Sequence, residues 1–129
     1  MVTVVRQRHT GDCGVAAMAT LLSARMAYED VYLAAAKVDP LGRGRGGLQN
    51  RELVKLGKEL GLALTPCRAF DLDRDEGVLR VRSLSHHRDG HWVAVRWGMV
   101  LDPADGYLAP WRQWAARYQA RLGTLLRSA

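Results

Sequence analysis

The chain has 129 residues, 48% of them hydrophobic and 25% charged, and a net charge of +6. A chain near this length buries roughly two-thirds of the surface it exposes when unfolded, so it needs neither disulfides nor a metal to fold, and its two cysteines require another reason. The longest apolar stretch, 13–24, is interrupted by Gly14, Thr20 and Ser23 and falls short of the ~18 residues of a membrane span. Sixteen of the 19 basic residues are arginines spread along the chain without a run of five or six, which argues against a nucleic-acid partner.

In chain order, the amino terminus lacks the apolar run and cleavage site of a secretory signal, so a cytoplasmic protein, or one delivered within a larger particle, is expected. Asp12 is placed to N-cap a helix over 13–26 that is apolar almost all round, the pattern of a helix buried on most faces. A second helix follows over 28–37. Four glycines and a proline within 39–47 make a loop. Leu48, Leu53, Leu56 and Leu60 recur at helical spacing in a third helix over 49–60, which Gly61 stops.

Beyond Gly61 the period changes to that of strands, over 62–69, 78–84, 91–97 and 99–101. Alternation along 91–97 puts His91 on one face with Val93, Val95 and Trp97. A last helix is expected from Pro110 to about Leu122, with Trp111, Trp114, Ala115, Tyr118 and Leu122 inward. Helices first and strands later give an α+β class: amino-terminal helices packed on an antiparallel sheet, then a carboxy-terminal helix, in one domain over 1–129.

Three segments carry chemically useful groups. Cys13 opens a helix, where unpaired backbone N–H groups and the dipole favour the thiolate, the nucleophilic form. His91, at the start of a strand, can pair with that thiolate and later protonate a leaving amine. A hairpin turning near Trp97 and Gly98 brings Asp102 roughly opposite His91, where it can fix the tautomer and orientation of the imidazole. Gln7, six residues before Cys13, is close enough for its amide to join the Cys13 N–H in an oxyanion hole.

The order Gln, Cys, His, Asp, with the nucleophile opening a helix and the others on a following sheet, is that of a papain-like cysteine peptidase. Gln7-x5-Cys13 with Asp12-Cys13-Gly14-Val15-Ala16-Ala17, then His91-Trp-Val-Ala-Val, then Leu101-Asp102-Pro103 resemble the bacteriocin-processing cysteine peptidase family. Gly47-Leu48 and Lys58-Glu-Leu-Gly-Leu62 extend the resemblance over most of the chain. The resemblance implies a papain-like fold, with Cys13 as nucleophile, His91 as general base and acid, Asp102 as orienting residue and Gln7 as oxyanion donor. It also implies a peptide or protein substrate cut after small, glycine-type residues. Family domains of this kind form the amino-terminal part of exporters that cleave leader peptides. With no exporter's membrane or nucleotide-binding parts, this polypeptide alone is expected to resemble the stand-alone relatives.

Other candidates have plainer readings. Cys67, after Pro66, reads as a core residue, and a Cys13–Cys67 disulfide would consume the nucleophile. No spacing of Cys13, Cys67, His86, His87 and His91 matches a zinc site, and 42–47 lacks the ending of a phosphate loop, so no cofactor or metal is expected. His9, His86 and His87 fall in loops. Asp105 competes with Asp102 as orienter but sits farther from the strand end. Trp92, Trp97, Trp111 and Trp114 read as packing anchors. The rival to a cysteine peptidase is a catalytically weak or inactive peptidase-fold module that binds or assembles within a larger complex.

Overall fold

The computed structural model describes residues 3–6, 8, 12–38, 48–83, 90–104 and 106–128. Four helices, α1 (Cys13–Leu21), α2 (Tyr28–Val38), α3 (Asn50–Glu59) and α4 (Trp111–Tyr118), accompany six strands, β1 (Leu64–Cys67), β2 (Gly77–Ser83), β3 (His91–Arg96), β4 (Met99–Asp102), β5 (Tyr107–Pro110) and β6 (Ala120–Ser128). The strands form one antiparallel sheet in the order β1-β6-β2-β3-β4-β5.

Helices lie on both faces of the sheet. Met18, Leu53 and Leu56 from α1 and α3 pack with Val78, Trp92, Ala94, Leu101 and Leu126 in one core. Trp114 of α4 packs with Leu79, Val93, Val95, Val100 and Leu125 in the other. Successive residues of β3 therefore enter opposite cores, and His91 through Val95 are all buried. All nine residues of α1 are buried, as its uniformly apolar sequence demands. The Thr20 hydroxyl within it is satisfied twice: it donates to the Ala16 carbonyl at 2.9 Å and accepts the Val5 N–H at 2.9 Å.

The expected hairpin turn is present. Trp97 and Gly98 have φ values of 55° and 72°, the left-handed pair that suits a tight two-residue turn between twisted strands. Gly61, with φ of 80°, ends α3 as expected.

Three expectations need correction. The last helix stops at Tyr118, where Gln119 turns left-handed, and the chain ends in strand β6 inserted between β1 and β2. Leu122, expected on an inward helical face, lies in that strand and is 38% exposed. Trp97 is no packing anchor, being 69% exposed at the turn, whereas Trp92 and Trp114 are buried. Asp12 occupies the N-cap position without capping: its carboxylate makes no bond to the first turn of α1. It accepts instead from the Tyr28 hydroxyl at 2.6 Å and the Arg8 N–H at 2.9 Å, which ties the segment before α1 to α2. Gln7, His9, the 39–47 loop, His86, His87 and Asp105 lie outside the described residues.

Candidate active site

Cys13 is the first residue of α1, where the backbone N–H groups of the opening turn have no acceptor within the helix. The intrahelical ladder begins only with Ala16, whose N–H donates to the Asp12 carbonyl at 3.0 Å. Cys13 itself is 8% exposed. Tyr28 and Arg8, through Asp12, fix the chain on its amino-terminal side.

His91 opens β3 and Asp102 closes β4. The register pairs Ala94 with Leu101 and Arg96 with Met99. Continuing it sets Asp102 beside Val93, so the rough opposition expected of His91 and Asp102 takes the form of a diagonal on one sheet face. The diagonal still closes a short bond, with His91 Nε2 2.7 Å from Asp102 Oδ1. That bond engages Nε2, and Cys13 lies near enough to the ring to favour its protonated form. His91 and Asp102 lie on the face covered by α4, whereas α1 covers the other. Thiol and imidazole therefore meet around the end of β3.

The Asp102 carboxylate is fully buried and held on both oxygens. Oδ1 accepts the Ala104 N–H at 3.0 Å as well as the His91 bond, and Oδ2 accepts the indole N–H of Trp114 at 3.2 Å. The Ala104 contact, two residues on, is a local turn in which an Asp side chain replaces a backbone acceptor. The Trp114 contact depends on α4 and is invisible in sequence, where Trp114 reads only as an apolar anchor.

Burial opposes the charged form of His91. The Asp102 bond, then the interaction with Cys13, then the charges of both partners outweigh it and push the imidazole pKa from 6.5 up to about 9. At neutral pH the ring is an imidazolium between two acidic groups. The structure thus brings together three of the four residues named from sequence, Cys13, His91 and Asp102, while Gln7 lies outside the described residues. Cys67, in β1, is a half-buried free thiol. Among the described residues no group of His, Cys, Asp and Glu could hold a metal.

No protein-family model matches the chain, and no curated protein matches it significantly. Solved structures do. Over 99% of this chain and 91% of the other, it superposes on a double glycine motif protease from an AMS/PCAT transporter, solved in complex with the leader peptide, at a TM-score of 0.63 and 20% identity. The chain has the fold of the double-glycine peptidase domains. The peptidase domain of Streptococcus ComA, a bi-functional ABC transporter of a quorum-sensing pathway, superposes at a TM-score of 0.61 and 16% identity, over 95% of this chain and 98% of that domain. Helices packed on a six-stranded antiparallel sheet make this double-glycine peptidase fold a papain-like α+β architecture. None of the described helices is long and apolar enough to cross a membrane.

Proposed function

We propose that the chain is a cysteine peptidase in which residues 1–129 form one catalytic domain. The observation that carries the reading is the series from Cys13 at the start of α1, through the neighbouring His91, to the buried Asp102 carboxylate that bonds the imidazole. The Cys13 thiolate attacks the carbonyl carbon of the scissile peptide bond. The resulting oxyanion is met by the Cys13 N–H and the Gln7 amide. His91 passes its proton to the leaving amine as the C–N bond breaks, leaving a thioester on Cys13. A water then attacks the thioester while His91 takes its proton, the C–S bond breaks, and the acid product leaves with the thiolate–imidazolium pair restored. Asp102 holds the ring and balances its charge throughout.

The substrate class is a peptide, cut after small residues of glycine type, a reading supported by the shared fold and by the leader peptide bound to one structural neighbour. Two free cysteines suit a reducing compartment such as the cytoplasm.

The test is the alkylation rate of Cys13 against pH, followed by peptide mass mapping with Cys67 as internal reference, beside cleavage of synthetic peptides carrying a Gly-Gly pair. Fast reaction near pH 6 that disappears in His91→Ala, and cleavage that disappears in Cys13→Ala, are expected. Slow alkylation with an ordinary thiol profile in both proteins overturns the peptidase reading and leaves the fold as a binding or assembly module.

A further inference from the structure

The arginines look dispersed in sequence, but β2 and β6 gather three of them. Arg82 and Arg121 are cross-strand partners in the β2–β6 ladder, a placement that sets like charges side by side at a cost to stability. Arg80 shares the face of Arg82. With Gly90, Leu122 and Gly123, the three arginines line an open hollow of about 240 Å³. Among the described residues no carboxylate pairs with any of them, whereas Arg8, Arg96 and Arg112 are each bound to an acidic residue.

Arg80 is held in place. Its Nη1 donates to Gln49 Oε1 at 3.2 Å, and its guanidinium lies 5.5 Å from the centroid of the Trp92 ring. Trp92 is pinned in turn by its indole N–H on the Leu48 carbonyl at 2.8 Å. The guanidinium also lies against Gly90, where an added Cβ would come within 3.2 Å of Nη2. Arg80 pairs with Trp92 across the β2–β3 ladder, and the Trp92 ring comes within 3.3 Å of where a Cβ on Gly14 would sit, so Arg80 belongs to the α1 face that carries Cys13, opposite the face of the His91 ring.

We propose that this hollow is a specificity subsite for an acidic side chain of the peptide substrate. The preorganised Arg80 guanidinium supplies a planar fork for the carboxylate, and the Arg82–Arg121 pair supplies a concentrated positive potential that an incoming anion relieves. A compact three-arginine hollow fits one or two carboxylates. An extended nucleic acid needs a basic stripe interleaved with stacking aromatics, which these lining residues do not provide. The inference rests on the peptidase reading and names one feature of its substrate.

The test uses Cys13→Ala protein, which leaves the peptide intact, and two fluorescein-labelled octapeptides containing Gly-Gly. One carries two glutamates and the other carries glutamines at the same positions. Fluorescence anisotropy is expected to show about tenfold tighter binding of the glutamate peptide at low salt, as for a hydrogen bond to a charged group. Adding Arg82→Ser with Arg121→Ser should cut that preference to about twofold or less and leave the glutamine peptide unaffected. Removing the like-charge pair should leave the unfolding midpoint unchanged or higher, so a loss of preference cannot come from misfolding.

Equal affinity for the two peptides, or no binding of either up to about 1 mM, overturns the subsite. So does tighter, arginine-dependent binding of a single-stranded octanucleotide. Alkylation of Cys13 in protein that retains the thiol separates the two readings. Fast, His91-dependent alkylation without a glutamate preference removes the subsite alone. Slow alkylation removes the peptidase reading whatever the peptides do.

Discussion

Trp114 and His91 grip the Asp102 carboxylate from different elements, the indole N–H on Oδ2 at 3.2 Å and the imidazole Nε2 on Oδ1 at 2.7 Å. A fully buried carboxylate is tolerable only when donors satisfy it, and here the candidate catalytic ring and a helix that covers this face of the sheet join the Ala104 N–H in doing so. Helix α4 therefore reaches the chemistry through the indole hydrogen bond of Trp114.

Trp114→Phe keeps most of the packing of α4 but leaves Oδ2 without that donor. A loss of about 1–3 kcal/mol is expected in urea unfolding. The His91-dependent alkylation of Cys13 should slow as well, because the carboxylate gains freedom to leave the imidazole. A variant that loses stability with an unaltered alkylation profile would reduce Trp114 to a packing residue.

Asp102→Asn offers only one acceptor oxygen, which can serve His91 or Trp114 but not both. Peptide cleavage should fall about 10²- to 10⁴-fold, since the ring loses its anionic partner. When the amide oxygen faces His91, its NH₂ is set against the Trp114 N–H. Combining Asp102→Asn with Trp114→Phe should therefore cost less stability than the two single changes added together. A double-mutant cycle by chemical denaturation reads the coupling, and strict additivity would mean that the two groups do not interact.

The raised pKa of His91 makes stability depend on pH in a definite direction. Its value in the folded protein, about 9, lies above the ordinary 6.5, so the folded state binds the proton more tightly than the unfolded chain does. The stabilisation is complete below about pH 6.5 and is lost as pH rises through about 9. Unfolding free energies measured across this window should fall, and should fall less steeply in Asp102→Asn. Imidazole resonances of His91 should titrate well above those of an ordinary histidine; a midpoint near 6.5 would contradict the ion-paired site.

Tyr28 should betray its bond to Asp12 in an alkaline titration. Burial, followed by the hydrogen bond to the Asp12 carboxylate, holds its phenol well above the ordinary tyrosine value. Ultraviolet titration should show one tyrosine ionising later than the rest, and Tyr28→Phe should abolish that late step. The same change leaves the buried carboxylate one donor short and should cost about 1–3 kcal/mol in unfolding experiments.

Features that depend on neighbours along the chain are legible in the residues alone. The apolar run of α1, the leucine spacing of α3, the left-handed turn at Trp97 and Gly98, and the alternation of β3 are local patterns, and each yielded its element. Cys13, His91 and Asp102 were legible because residue type and position at an element's end together limit what each can do. The remaining features depend on contacts between segments distant in sequence. Strand β6 is hidden in the sequence because Leu125 and Leu126 are buried on opposite faces and therefore show no alternation, while its partners β1 and β2 lie far back in the chain. The diagonal meeting of His91 with Asp102 required a register, since a hairpin tells which residues are near but not which are opposite. The position of Asp12 suggests a cap, but the Tyr28 hydroxyl, brought up by α2, is a donor that only packing supplies. The arginines of β2 and β6 count as dispersed along the chain and become a cluster only when the sheet pairs them, because charges interact through space and not along the chain.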